Sequence, residues 1–186
     1  MIMVIIATLI LVPFVFVKDF FTSVQGDGDI IFEGCAFIFT SIILILSDAC
    51  VKGYKTGKDM KVKDAITVGL FQCVALFPGV SRSGSTVSAG LFCGLARETA
   101  VAFSFILGIP AILGSAVLEG VDVIKSGEQI EVLPLLIGAV VSAVVGLLSI
   151  KLVQIIIKND KFKIFGIYTL ILGIVCRSEE RRVGKE

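Results

Sequence analysis

The chain has 186 residues, 56% of them hydrophobic and 18% charged, with a mean hydropathy of +1.00 and a formal net charge of +1. A water-soluble domain of this length carries far more polar side chains, so the composition excludes that class and points to an all-α polytopic membrane protein. The near-neutral charge gives no electrostatic ground for a nucleic-acid partner, and the absence of histidine removes the commonest acid–base group and metal ligand.

Residues 1–17 form an apolar run ending at Lys18. The run lacks the basic leading region and small-residue cleavage site of a secretory signal, so it reads as a membrane-spanning helix. A second span is expected over 29–51. A basic loop follows, with Lys52, Lys55, Lys58, Lys61 and Lys63 against Asp59 and Asp64. Residues 65–77 are apolar but short of the ~20 residues that cross a bilayer. The stretch Pro78–Thr86 reads PGVSRSGST, a second short apolar stretch covers 86–95, and Arg97 and Glu98 follow. Spans are expected over 99–118 and about 132–157. Between them lies an acidic loop with Glu119, Asp122, Glu128 and Glu131, and with Lys125. A basic loop holds Lys158, Asp160, Lys161 and Lys163, and a last apolar run covers 164–176. The tail 177–186 (RSEERRVGKE) turns polar and is read apart from the fold, as a solvated or non-native appendage. Residues 1–176 are then a single transmembrane domain. Cys35, Cys50, Cys73, Cys93 and Cys176 lack paired metal spacing and read as small hydrophobes.

The charged loops allow a parity test. If 65–95 crossed the membrane once, the basic loops at 52–64 and 158–163 would lie on opposite sides, against the positive-inside bias. If 65–95 dips in and returns, both basic loops are cytoplasmic and the loops at 18–29 and 119–131 lie outside. The expected architecture is therefore about five transmembrane helices plus one re-entrant helix–loop–helix hairpin. Irregular backbone at membrane depth is tolerated where protein buries it or a watery cavity solvates it, so the break at 78–86 implies a cavity.

The residues of that break suggest an anion with several oxygens, most simply a phosphate. Gly79 and Gly84 let the backbone turn and approach a ligand. A helix starting near Ser85 or Thr86 would aim unpaired N–H groups and a partial positive charge into the break. Arg82 adds a permanent charge and a planar fork for two oxygens. Ser81, Ser83, Ser85 and Thr86 either donate to further oxygens or cap the next helix. Gln72, alone among apolar neighbours, either lines the cavity or bonds a neighbouring helix. Gly90 and Gly94 have the spacing of tight helix packing, and Pro110, with Gly108 and Gly114, is placed to kink a span. Glu33 and Asp48 fall near span ends, and Arg97 and Glu98 at the end of the hairpin.

Residues 69–116, GLFQCVALFPGVSRSGSTVSAGLFCGLARETAVAFSFILGIPAILGSA, resemble the second signature region of the bacterial undecaprenyl-diphosphate phosphatase family, also called bacitracin-resistance proteins. The PG-x-SRSG-x-T core and the following FSF…IP carry the likeness, and the flanking spans extend it over nearly all of 1–176. The resemblance implies two inverted repeats, each with a re-entrant hairpin, meeting near the midplane. It implies hydrolysis of undecaprenyl diphosphate to undecaprenyl phosphate in the bacterial inner membrane, recycling the lipid carrier of cell-wall synthesis and conferring bacitracin resistance. It further implies Arg82, Ser81 and Thr86 as catalytic residues, with Ser83, Gly79, Gly84, Ser85 and Gln72 binding substrate. A divalent cation, Mg or Ca, is implied as cofactor, and a polyprenyl diphosphate, membrane lipid and a homodimer as partners. The family's acidic E/Q-x-x-x-E motif and its second Ser-rich loop with a histidine do not occur in this sequence. The chain thus resembles the C-terminal two-thirds of such a protein, and it is expected to lack the cation's carboxylate ligands and to be inactive alone. The competing reading is a non-enzymatic transporter or binding protein for a lipid-linked or free phosphate anion.

Overall fold

The computed structural model describes residues 1–15, 30–50, 53–126, 132–158 and 162–183. These residues are all-α, in seven helices: α1 Ile2–Val15, α2 Ile30–Ala49, α3 Val62–Val74, α4 Arg82–Phe92, α5 Arg97–Ser126, α6 Val132–Lys158 and α7 Phe162–Val183. The loops expected at 18–29, the residues Lys52, Glu128, Glu131, Asp160 and Lys161, and the last residues of the tail, 184–186, lie outside the described residues. Helices α5 and α6 are long and apolar enough to cross a membrane, over Arg97–Lys125 and Leu133–Val153, while Ile2–Pro13 and Lys163–Cys176 are shorter apolar helices.

The core forms where the short helices α3 and α4 and the first turns of α5 meet α1 and α2. Ala65, Val68, Val87, Ala89, Leu95 and Leu107 are buried there. Helix α7 packs along α2, and Ser41 Oγ donates to Gly166 O at 2.7 Å, a contact between buried residues 125 positions apart. Helix α6 leans mainly on α5. Most of its described side chains, such as Leu133, Val140 and Leu147, are exposed, as is most of the second half of α5, while Val153 packs against the core. A run of exposed apolar residues this long is stable only against lipid or another apolar surface.

Four sequence expectations change. The helix after the break starts at Arg82, not near Ser85, because the Ser81 side chain accepts from Gly84 N and so caps the helix three residues earlier. Glu119, Asp122 and Lys125 are not in a loop but on the last turns of α5, which runs unbroken through Pro110 to Ser126. Of the two glycines expected to pack helices, Gly90 does so, buried against Ala100. Gly94, at φ +79, instead stops α4: Leu95 N bonds back to Gly90 O and Gly94 N to Leu91 O, the wrap that a left-handed glycine permits at a helix end. The helical run that contains the last apolar segment continues past residue 176 to Val183, so the first part of the tail is helical.

Helices α3 and α4 form a hairpin whose two open ends are locked together. Lys55 pairs with Leu95 as an isolated parallel bridge: Lys55 N donates to Gly94 O at 3.1 Å and Ala96 N to Lys55 O at 2.9 Å. Lys55 Nζ reaches Cys93 O at 2.7 Å and both Asp64 oxygens at 3.3 Å. One lysine thereby ties the entry to α3 to the exit from α4. The chain enters and leaves the hairpin at one end, and the break at 75–81 lies at the other. Asp48 reinforces the same end. It takes Arg97 Nη1 at 2.7 Å and the amide of Lys163 at 3.3 Å, joining the end of α2 to the starts of α5 and α7.

Candidate active site

The far end of the hairpin is a tight turn. Val80 N donates to Phe77 O, and Gly79 adopts φ +83, a conformation open to glycine at little cost. A methyl at Gly79 would lie 2.9 Å from Ala36 Cβ and 3.2 Å from Glu33 O. The turn is therefore pressed against the start of α2, which places Glu33, an exposed carboxylate on its first turn, beside the break.

Helix α4 is held by hydroxyls on both sides. On the α2 side, Ser81 N donates to Thr40 Oγ1 at 3.2 Å, and Ser88 Oγ donates to Ser47 Oγ at 3.0 Å. Thr40 and Ser47 are seven residues apart, as are Ser81 and Ser88. Two helical turns therefore run in register and in the same direction. On the α5 side, Thr86 Oγ1 lies 2.6 Å from Ser104 Oγ, 2.9 Å from Arg82 O and 3.3 Å from Ser83 O. A hydroxyl has one proton, and that of Thr86 goes to the carbonyls of its own preceding turn; Ser104 is then the donor to Thr86.

These contacts sort the predicted residues. Arg82 is the first residue of α4, and it and Ser83 are exposed. Among the described residues no carboxylate pairs with the Arg82 guanidinium. Gly84 N is taken by Ser81 Oγ and Ser85 N by Ser81 O, so the amides of Arg82 and Ser83 remain at the helix start for a ligand. Gly84 is buried, and its Cα side faces the Ser81 side chain and Leu44. Thr86, at 2% exposure, is occupied in bracing the Arg82 turn rather than presented to a ligand. Ser81 divides its groups between the α4 cap and Thr40. Ser85 and Gln72 are buried, and Ser85 Oγ and Gln72 Nε2 have no hydrogen-bond partner. Such orphans cost about 1–3 kcal/mol each, and in a native fold they call for a ligand or water.

The sequence reading did not find Thr40, Ser47 or Ser104. Their signal was available as hydroxyls recurring in apolar helices, but it identifies no partner. Among the described residues no three His, Cys, Asp or Glu side chains converge on a point that could hold a metal ion. That donor set does not fit a divalent cation, and no step is derived through one.

Comparison with known proteins agrees with the motif. A model of the bacitracin resistance protein BacA family matches residues 1–175. An undecaprenyl-diphosphatase of Corynebacterium glutamicum is 43% identical over 140 residues, covering 74% of this chain and 48% of the relative. One from Methanosphaera stadtmanae is 41% identical over 145 residues, covering 78% of this chain and 52% of the relative. An undecaprenyl-diphosphatase 3 of Bacillus cereus is 38% identical over 159 residues, covering 85% and 61%. The chain spans about half the length of the curated relatives it matches. With a family-model match over residues 1–175, this chain belongs to the bacitracin resistance protein BacA family.

Proposed function

We propose that this chain supplies the arginine-bearing half of a membrane phosphatase that hydrolyses undecaprenyl diphosphate to undecaprenyl phosphate and inorganic phosphate. The observation that carries the reading is the start of α4: an exposed, carboxylate-free Arg82 beside two open backbone amides at a helix N-terminus. Its relatives' names supply the substrate class.

In this reading the guanidinium takes two oxygens of the diphosphate, and the amides of Arg82 and Ser83 take a third. Water attacks the terminal phosphorus. The bond from that phosphorus to the bridging oxygen breaks, and its electron pair leaves on the lipid monophosphate. Charge grows on the bridging and equatorial oxygens as this happens. Donors already fixed in place stabilise that charge without reorganising, which is where phosphoryl transfer gains most. Ser104, through Thr86, and Thr40, through Ser81, hold the donors still. Ser85 and Gln72, with their unused polar atoms, complete the lining. The attacking water gives its proton to a base that the remainder of the full-length enzyme contributes.

The hairpin is also proposed as re-entrant. An eleven-residue α4 rises about 16 Å, roughly half of a ~30 Å hydrocarbon layer. With its locked end at the cytoplasmic surface, the break would sit near mid-depth, among about five spans of a bacterial inner-membrane protein.

The test is release of phosphate from undecaprenyl diphosphate in detergent by a protein in which these residues stand within the full length of its relatives. Release supports hydrolysis. Tight binding of the diphosphate without release would replace it with the binding or transport reading.

A further inference from the structure

The locked end of the bundle carries an imbalance of charge that the hydrolase reading does not use. Two of its carboxylates, Asp48 and Asp64, are paired with cations inside the fold. Asp48 is taken by Arg97 and by the amide of Lys163. Asp59 is taken by the hydroxyl and amide of Thr56, at 2.7 and 3.0 Å, and these bonds hold its carboxyl below the ordinary carboxylate range. Asp64 is taken by Lys55 and by Lys61 N at 2.9 Å. Lys58, Lys61, Lys63 and Lys163 are exposed at this same end, and none of their ammonium groups has a carboxylate partner among the described residues.

The segment bearing three of these lysines is part of the fold. Met60 is buried in the core, and the backbone of Lys55 is bonded on both sides to the 94–96 turn. Tyr54, 85% exposed, projects beside the lysines, and Val62 and Ile66 on the adjoining face of α3 are exposed too. A fixed cluster of cations bordered by a tyrosine and aliphatic side chains matches the layered chemistry of a bilayer interface: phosphate level, then glycerol, then acyl chain.

We propose that this end of the bundle is a docking surface for the headgroups of anionic phospholipids. The charge complementarity is direct, since Asp48 and Asp64 are paired with Arg97 and Lys55, and the four lysines facing out outnumber the two acids, Asp59 and Glu98, that keep their charge at this end. The opposite end of α5 carries Glu119 and Asp122 against the single Lys125, so the described charge at the two ends differs in sign. The proposal does not depend on the hydrolase reading, and its test has no catalytic readout.

The experiment measures the thermal midpoint of the full-length protein in neutral detergent micelles, with added phosphatidylglycerol or phosphatidylcholine. Phosphatidylglycerol is expected to raise the midpoint by several degrees and phosphatidylcholine to leave it. Replacing the four lysines together (K58Q, K61Q, K63Q and K163Q) should remove at least half of that rise, and arginine at the four positions should keep it. Inorganic phosphate at equal concentration should not reproduce it; if it does, the site takes a free anion and the lipid surface is wrong. Should the glutamine variant fail to fold, salt decides with the parent alone, because ~0.5 M salt shrinks the Debye length to a few ångströms and should abolish the rise. A rise that persists in high salt, or is equal in the glutamine variant, overturns the proposal.

Discussion

Thr86 and Ser104 give the sharpest energetic test of how the site is braced. Thr86→Val keeps the shape of the side chain and removes its hydroxyl. Ser104 Oγ, in a residue 6% exposed, then loses its partner at 2.6 Å. A stranded buried hydroxyl costs about 1–3 kcal/mol. Ser104→Ala strands the Thr86 oxygen less severely, because its proton still reaches Arg82 O at 2.9 Å, so about 1 kcal/mol is expected. The double variant Thr86→Val/Ser104→Ala removes both ends of the bond and should cost about 1 kcal/mol less than the sum of the singles. Thr86→Ser, retaining the hydroxyl, should lose only a methyl group's worth, about 1 kcal/mol. In a chain of this size each kcal/mol moves a thermal midpoint by roughly 2–4 °C. Thr86→Val should therefore melt about 4–8 °C lower in detergent, with the double variant scarcely lower still. Strict additivity of the two single changes would refute the coupling, and a Thr86→Ser variant as unstable as Thr86→Val would refute the role of the hydroxyl.

Three other outcomes follow from the contacts described. Asp48→Ala leaves Arg97, whose side chain is 16% exposed, without its closest anion and uncaps α7; a loss of about 3 kcal/mol, read as a midpoint drop near 10 °C, is expected, and a drop under 2 °C would contradict the clasp. Gly79→Ala forces a side chain into φ +83 and against Ala36 and Glu33 O; a destabilisation of about 2 kcal/mol or more should appear as a lower midpoint and poor yield, while Gly57→Ala, in open space, should be silent. Thr56→Val should let the Asp59 carboxyl rise toward its ordinary value of 3.8, followed by carbon-detected NMR titration. Since folding depresses this group, its contribution is present above the unfolded value and fades as pH falls through the folded one; an unchanged titration in the variant would refute the hydrogen bond as cause.

Much of this site was legible in the sequence, for reasons particular residues make plain. Proline, two glycines and an arginine within nine positions can hardly sit inside an apolar helix, so the break between α3 and α4 was readable. The charges of Lys55 and Asp64 suggested a loop, and the structure makes the lysine a clasp because the α4 carboxyl end offers it a free carbonyl. The start of α4 was misplaced because four hydroxyls within six positions are equally good caps on paper; Ser81 is the one that takes Gly84 N. Gly94 read as a packing glycine because spacing carries no information on the sign of φ. The brace from Thr40, Ser47 and Ser104 was invisible, since pairing residues 41 or 18 positions apart requires knowing which helices touch. The roles of Ser81 and Thr86 are more structural than the motif suggested, because their polar atoms are already committed to the fold.

The proposed hydrolysis turns on Arg82, at the start of α4, holding the diphosphate through the transfer of its terminal phosphate. The measurement that tests it most directly is the rate of phosphate release from undecaprenyl diphosphate by Arg82→Ala, beside the parent, in a full-length protein carrying this segment. Removing one preorganised charge donor from a phosphoryl-transfer site costs about 10²–10³ in rate, and Arg82→Lys, which keeps the charge but loses the fork, should fall between. A folded Arg82→Ala protein that releases phosphate within a few fold of the parent would contradict the account.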